Sequence, residues 1–222
     1  SRHFVTIGGS DGVNLFFNVT NCHMTGCKDA GLDSHGAGDF VTFQGNTIEG
    51  IGAGSGVHEG IVFQGFNCVI NDNTILGFKR HGIYVQNVND NLPVASGGTG
   101  SAIINGNKII NHGDNTSSDA GIYVLNDENE LDTGSDGTID AKLIGLTIAN
   151  NTIEGEAQNG IRVYSLGGAI NNVSITGNTI DSSSLQGIFI QTGVSAGQTI
   201  SMITVTGNIV RSPLSLTSST PE

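Results

Sequence analysis

Ile175-Thr176-Gly177-Asn178-Thr179-Ile180 is one copy of a phrase whose close variants recur along the chain, and this repeat indicates the fold. Each copy joins two short apolar strands through a turn residue and an Asn. The other copies begin at Phe43, Ile70, Ile104, Ile148 and Val205, and a weaker one begins at Val19. The spacing varies, which is typical of loops of different length on a constant coil.

A second phrase, Gly-Ile-x-Val, lies between these copies. It begins at Gly60, Gly82, Gly121, Gly160 and Gly187, and Gly31-Leu32-Asp33-Ser34 occupies the same place first. Such a repeat cannot bury its apolar face alone and must stack on its neighbours. We expect Ile and Val to point inward and the Asn residues to form a hydrogen-bonded column.

The repeats predict an all-β chain that forms a single-stranded, right-handed parallel β-helix of about seven coils. The handedness rests on the rule for parallel crossovers and on the resemblance given below. We expect one β-helix domain over 1–211 and a linker or edge segment over 212–222. Since neither terminus has the pattern of a cap, we expect a fragment of a longer protein.

Composition and net charge disfavour some classes of binding partner. A net charge of −12, with only eight Lys and Arg, disfavours binding to nucleic acid or to an anionic membrane. No apolar run reaches the ~20 residues of a membrane span, so we expect no membrane insertion. A polyanionic sugar needs only a few cations, and Lys28, Lys79 and Arg80 fall in the early coils. Cys22 occupies an Asn position, and we predict a buried small apolar residue there.

Two columns of outward side chains follow from stacking the Gly-Ile-x-Val strands. At a strand spacing of ~4.8 Å they suit an extended sugar chain, by ring stacking and hydrogen bonds to hydroxyls. The alternative is that a long segment, 86–101 or 125–142, covers this face and the aromatic residues pack beneath it. The first column is Asp33, Val62, Tyr84, Tyr123, Arg162 and Phe189, and the second is His35, Gln64, Gln86, Leu125, Tyr164 and Gln191.

A charged cluster gives the sharpest functional signal. Asp33 and His35 are two residues apart on one strand, which places both on one face, and His exchanges protons near neutral pH. Glu59 and His81 precede the Gly of later strands, and Arg80 is next to His81. We expect these five residues to converge beside one groove, as catalytic groups or as a structural ion-pair cluster.

The cluster resembles the mannuronan C-5 epimerases and the related β-helix alginate lyases, whose signature is Asp-Pro-His on such a strand. The matching residues are Asp33-Ser34-His35, Glu59-Gly60-Ile61 and Arg80-His81-Gly82-Ile83. The match covers Met24 to Val85. Beyond it, the chain is similar only as generic β-helix repeats.

The sequence departs from that family at two positions. Ala30 stands where the family has a Tyr, and Gln64 stands where it has an acidic residue. The family's catalytic Lys would fall at or before the start of the chain. The strands also look like those of phage tailspikes and other pectate-lyase-like depolymerases, which would imply a homotrimer and tolerate the loss of the Tyr.

The resemblance implies a polysaccharide as partner and chemistry that removes the C-5 proton of a uronate. Arg80 would neutralise the carboxylate, and His35 or His81 would be base or acid. Asp33 would orient His35, and Tyr84 is the nearest second proton donor. Which of lyase and epimerase applies stays open. We expect the sugar-binding residues to be Glu59, Gln64, Lys79, Tyr84, Gln86, Tyr123, Arg162 and Tyr164.

Two other classes fit the same residues. Asp33 and Glu59 on adjacent coils would suit a glycoside hydrolase, and a non-catalytic glycan-binding β-helix needs only the aromatic column. No cofactor is required and no metal site is assigned. An acidic insertion nevertheless suits calcium as well as a solvated loop; its residues are Asp127, Glu128, Glu130, Asp132, Asp136 and Asp140. A glycan substrate implies a secreted or virion-surface location.

Overall fold

The described part of the chain is a three-sided coil of parallel β-strands. The structure is a computed structural model that describes residues 4–8, 16–27, 29–38, 40–50, 59–65, 67–87, 99–110, 119–126, 142–155, 157–166, 168–181, 183–193 and 199–211. Within these ranges, three sheets of seven strands each are formed. Each coil contributes one strand to each sheet, and every pair of neighbouring strands is parallel. The predicted all-β parallel β-helix of about seven coils is confirmed.

The bounds of the strands follow the sequence repeat. The first sheet contains β1 (Val5–Gly8), β4 (Ala30–Gly38), β7 (Glu59–Gly65), β10 (His81–Asn87), β13 (Ala120–Asn126), β16 (Asn159–Ser165) and β19 (Gln186–Thr192). The second contains β2 (Phe16–Thr20), β5 (Phe40–Gln44), β8 (Asn67–Asn71), β11 (Thr99–Asn105), β14 (Lys142–Ala149), β17 (Ala169–Thr176) and β20 (Thr199–Thr206). The third contains β3 (His23–Cys27), β6 (Thr47–Gly50), β9 (Thr74–Leu76), β12 (Lys108–Ile110), β15 (Thr152–Glu154), β18 (Thr179–Asp181) and β21 (Ile209–Arg211).

A left-handed turn residue joins the second sheet to the third in every described coil. Glycine occupies four of these positions, and its φ lies between 65° and 68°. Asn or Asp occupies the other three at 55–56°, and these types tolerate that region better than other side chains. The residues are Asn21, Gly45, Asp72, Gly106, Asn150, Gly177 and Gly207. This explains why the repeated phrase varies only among Gly, Asn and Asp before its Asn.

The predicted column of stacked Asn side chains is confirmed and is named here the asparagine ladder: Asn46, Asn73, Asn107, Asn151, Asn178 and Asn208. Taking Asn107 as the example, its Oδ1 accepts from the backbone N–H of Asn73 (3.0 Å) and from Asn73 Nδ2 (2.9 Å). Its Nδ2 donates to Ile70 O (2.8 Å) and to Asn151 Oδ1 (3.0 Å). Both hydrogens and both lone pairs of the amides from Asn73 to Asn178 are used, so a buried polar column costs little.

The interior is filled by the apolar residues of the two repeated phrases. Ile48, Ile75 and Ile109 stack on one another from the third sheet, and each is at most 1% exposed. Facing columns come from the first and second sheets and belong to the same core. The expected inward direction of Ile and Val is therefore confirmed.

Glycine at the start of the first-sheet strands is required by this packing. A Cβ on Gly82 would lie 2.4 Å from Ile109 Cγ2 and 2.8 Å from the carbonyl oxygen of Gly121. Gly31, Gly60, Gly160 and Gly187 meet the same kind of obstruction. Because the glycine and the Ile after it both face the interior, the residue before the glycine points outward. This break in alternation positions the candidate site.

The cysteines correct one expectation. Cys22 is exposed rather than buried, although its backbone N–H donates to Asn46 Oδ1 (3.0 Å) and so begins the ladder. Cys22 lies in the first described coil of the second and third sheets, so no described ladder residue precedes it in the stack. Cys27 and Cys68 are buried, no disulfide is formed among the described residues, and burial raises the pKa of the Cys68 thiol.

A search of the described residues for a helix long and apolar enough to cross a membrane found none. The proposed linker 212–222 lies outside the described residues, as do Lys28, most of the segments 86–101 and 125–142, and the acidic insertion from Asp127 to Asp140.

Candidate functional site

The outer face of the first sheet carries the first predicted column in register. Asp33 pairs with Val62 and Val62 with Tyr84, and the column continues to Tyr123, Arg162 and Phe189. These side chains therefore follow one another at one strand spacing per coil, ~4.8 Å.

The second column is also in register from Gln64 onward. Gln64 pairs with Gln86, followed by Leu125, Tyr164 and Gln191. Gln64 Nε2 donates to Gln86 Oε1 at 2.9 Å. An amide pair and a tyrosine thus lie beside the first column.

His35 interrupts this column. It pairs with Gly8 on one side, but the register with β7 shifts between Ser34 and Gly38. Because of this shift, register gives His35 no defined partner in β7. The His35 side chain lies outside what the structure describes.

His81 is the centre of the best-defined cluster. It pairs with Glu59 on one side and Ala120 on the other. Its ring centroid lies 5.4 Å from that of Tyr84 and 5.0 Å from that of Tyr123. The two tyrosine rings are themselves 5.4 Å apart. The break in alternation at Gly82 brings His81 and Tyr84 onto the same face, as the sequence predicted.

The tautomer of His81 follows from its backbone contact. The Ala120 N–H donates to His81 Nδ1 at 3.2 Å. An acceptor nitrogen carries no proton, so the neutral ring has its hydrogen on Nε2. In this state His81 is a hydrogen-bond donor through Nε2–H, and it abstracts a proton only if that arrangement changes.

Arg80 and Glu59 form an ion pair at the rim of this cluster, with Nη1 and Oε1 3.3 Å apart. The Arg80 side chain is 52% exposed and the Glu59 side chain 11%. The role predicted for Arg80 is to neutralise a substrate carboxylate. In that role, its guanidinium would have to interact with both the substrate carboxylate and Glu59. Lys79 is half-buried in the turn before Arg80.

Arg162 lies among aromatic rings two coils from Tyr84. Its guanidinium carbon is 5.0 Å from the Tyr123 ring centroid, 5.3 Å from that of Tyr164 and 5.7 Å from that of Phe189. These distances are typical of cation–π contacts. The predicted aromatic and cationic column is therefore one packed group.

Burial differs from the expectation of an open platform. Asp33 is 2% exposed, His81 1%, Gln86 7% and Tyr123 8%. Tyr123 belongs to a small apolar cluster separate from the main core, with Tyr84 and Tyr164 packed against it. The face is thus largely covered at its centre, which agrees with the alternative in which the aromatic residues pack beneath a cover. Arg80 is the exposed member.

The structure brings together Glu59, Arg80, His81 and Tyr84. Asp33 belongs to the same outward column as Tyr84, but Val62 lies between them. Asn159 was not predicted from the sequence; it is 3% exposed and follows Ala120 in the column that also contains Glu59 and His81. Its signal is its position before the Gly of Gly160-Ile161, the same place that identified Glu59 and His81.

Among the described residues, no group of three or more His, Cys, Asp or Glu side chains is placed to hold a metal ion. The proposed calcium ligands of the acidic insertion fall outside this part of the chain.

Sheet topology and register define this protein as a parallel β-helix with a polar and aromatic cluster on the outside of its first sheet. Comparison with family models, with curated proteins and with solved structures found no match in any of the three.

Proposed function

We propose that this protein modifies an acidic extracellular glycan at the cluster of Glu59, Arg80, His81 and Tyr84. The carrying observation is the convergence on one face of a carboxylate–guanidinium pair, a histidine donor and two tyrosines. The reaction class that fits is removal of the proton at C-5 of a uronate, as a lyase or an epimerase.

The chemistry assigns a role to each group. A substrate carboxylate at exposed Arg80 would draw the guanidinium from Glu59, and the freed Glu59 would be the stronger proton acceptor. Glu59 takes the C-5 proton, and the enolate-like anion is stabilised by Arg80 and by His81 Nε2–H. The Tyr84 hydroxyl supplies the second proton. In a lyase it goes to the leaving oxygen as the C-4–O bond breaks and the C-4=C-5 bond forms, whereas in an epimerase it goes to C-5.

A non-catalytic glycan-binding β-helix is the second candidate, and the continuous aromatic and cationic column from Tyr84 through Tyr123 and Arg162 to Phe189 favours it. A hydrolase that uses Asp33 and Glu59 is less favoured. The two residues lie on adjacent strands but three positions out of register, which sets their Cα atoms roughly 11 Å apart.

The test is a panel of uronate and neutral polysaccharides with three assays. A lyase produces an unsaturated uronate that absorbs in the ultraviolet, an epimerase changes residue type without shortening the chain, and a hydrolase produces reducing ends alone. Tyr84→Phe and Glu59→Gln should abolish activity, while Glu154→Gln, which removes a carboxylate from an exposed residue of the third sheet, should retain it. Binding without any product in wild-type protein refutes catalysis and supports the binding module.

A further inference from the structure

Arg162 is held on three sides by aromatic rings. Tyr123 and Phe189 occupy the same register position on the preceding and following strands, and Tyr164 is two residues on along the same strand. The guanidinium carbon is within 5.7 Å of all three ring centroids. Such packing orients the planar group and removes water from it.

Arg162 differs from the other described arginines in having no acidic partner within the described residues. Arg80 pairs with Glu59, and Arg211 lies 4.0 Å from Asp181. Arg162 Nε is buried and makes no hydrogen bond to the described part of the chain. In a protein with a net charge of −12, leaving an arginine without a carboxylate is unusual.

The surroundings of Arg162 would strengthen contact with an anion. Charges attract more strongly where aromatic rings exclude water than they do at an open surface. A guanidinium also presents paired N–H donors that match a carboxylate at two points. Desolvating this charge is costly, and cation–π contacts offset only about 0.5–2 kcal/mol of that cost.

We propose that Arg162 forms a separate anion-binding subsite that recognises a carboxylate on the glycan. Tyr84 and Arg162 are two strands apart in one column, about 10 Å. The subsite would therefore contact a different part of the sugar chain from the part that is bound at Arg80 and His81. This inference rests on the proposed function in assuming that the ligand is a glycan. The new element is that the protein recognises a carboxylate of the glycan at a second position.

The experiment uses the full chain labelled with ¹⁵N-arginine, so that the Nε–H signals of Arg2, Arg80, Arg162 and Arg211 are observed. The probes are sodium sulfate, a short oligogalacturonate and the same oligosaccharide with its carboxyl groups reduced. Arg162→Met identifies the signal and keeps an unbranched apolar stem. Arg211→Met is the matched control, because it removes the same charge from an exposed side chain in the third sheet.

We expect oligogalacturonate, but not its reduced form, to shift the Arg162 signal. Arg162→Met should weaken oligogalacturonate binding roughly 10- to 100-fold, the range for a hydrogen-bonded charged group. Arg211→Met should leave it within about twofold, since an exposed charge contributes little. Arg162→Lys should fall between, because it keeps the charge and loses the planar fork.

The outcomes separate this inference from the proposed function. Equal binding by Arg162→Met and Arg211→Met overturns the subsite even if wild-type protein processes polysaccharide. A wild-type Arg162 signal that neither sulfate nor oligogalacturonate moves also overturns it, and this result needs no folded variant. A shifted signal with weakened Arg162→Met binding, but no product from any polymer, supports the subsite and removes the catalytic proposal.

Discussion

Removing one amide from the middle of the asparagine ladder should destabilise the protein severely. In Asn107→Ala, the Asn73 N–H and one Asn73 Nδ2 hydrogen lose their acceptor, and the Ile70 carbonyl loses its donor. Asn107 is 1% exposed, so these groups stay away from water. At about 1–3 kcal/mol for each of these three buried unsatisfied groups, we expect a loss of roughly 3–9 kcal/mol. That is a large share of the ~5–15 kcal/mol available to a folded domain.

Asn208→Ala is the matched control at the other end of the ladder. Asn208 makes the corresponding bonds to Asn178 and to Ile175 O, but it is only half-buried, so water replaces the lost partners. We expect about 1–2 kcal/mol there. The assay is urea unfolding at 25 °C followed by circular dichroism, with the urea dependence compared among variants.

Asn107→Asp keeps the shape of the side chain and changes its hydrogen-bonding groups, so it separates the effects of the two on stability. The isosteric carboxylate would place an oxygen against Ile70 O and Asn151 Oδ1, where the amide now donates. Burial and these acceptors raise the pKa of the new carboxyl group in the folded protein above the ~3.9 of an exposed Asp. The penalty from ionisation is therefore absent below about pH 3.9 and grows as the pH rises from there to the raised value, whereas one hydrogen bond is lost at every pH because a protonated carboxyl donates one hydrogen and the amide donates two. A midchain Ala variant as stable as Asn208→Ala, or an Asp variant without this pH dependence, would refute the reasoning.

Three further outcomes follow from packing and charge. Gly82→Ala should lower the free energy of unfolding by roughly 1–3 kcal/mol through overpacking, because its Cβ would lie 2.4 Å from Ile109 Cγ2. An unfolding transition in urea like that of the wild-type protein would contradict this packing. A maleimide at neutral pH should label Cys22 alone in folded protein and Cys68 only after denaturation, since burial raises the pKa of the Cys68 thiol; mass spectrometry counts the labels. Arg80→Met should change stability by less than about 1 kcal/mol, as its side chain is half exposed, so any activity it loses reflects the site.

Local patterns were enough to predict the spiral and its ladder. The turn before each ladder Asn requires a left-handed backbone, which restricts it to Gly, Asn or Asp and leaves a visible mark in the sequence. The column from Asp33 to Phe189 was also predictable, because each strand enters its sheet at the same glycine. Once that glycine is in register, the residues after it are too, up to the shift that follows Ser34 in β4.

Contacts around the site were harder to predict because they depend on what covers the strands and not on the repeat. Cys22 has the position of a ladder residue, but within the described part of the chain no ladder residue precedes it in the stack, and it is exposed. The register shift after Ser34 moves His35 relative to β7, and no residue type announces it. The pairing of Arg80 with Glu59 depends on long side chains that can reach several partners.

The coil, the ladder, the inward apolar columns and the face that carries the polar and aromatic residues could all be predicted from the sequence. Each of these is dictated by short-range backbone geometry repeated once per coil. The burial of this face at its centre, the hydrogen bond from the Ala120 N–H to His81 Nδ1 and the position of Arg162 between rings without a described acidic partner became clear only from the three-dimensional structure. Those properties arise where side chains from different coils meet, and burial and hydrogen bonding there depend on the three-dimensional surroundings.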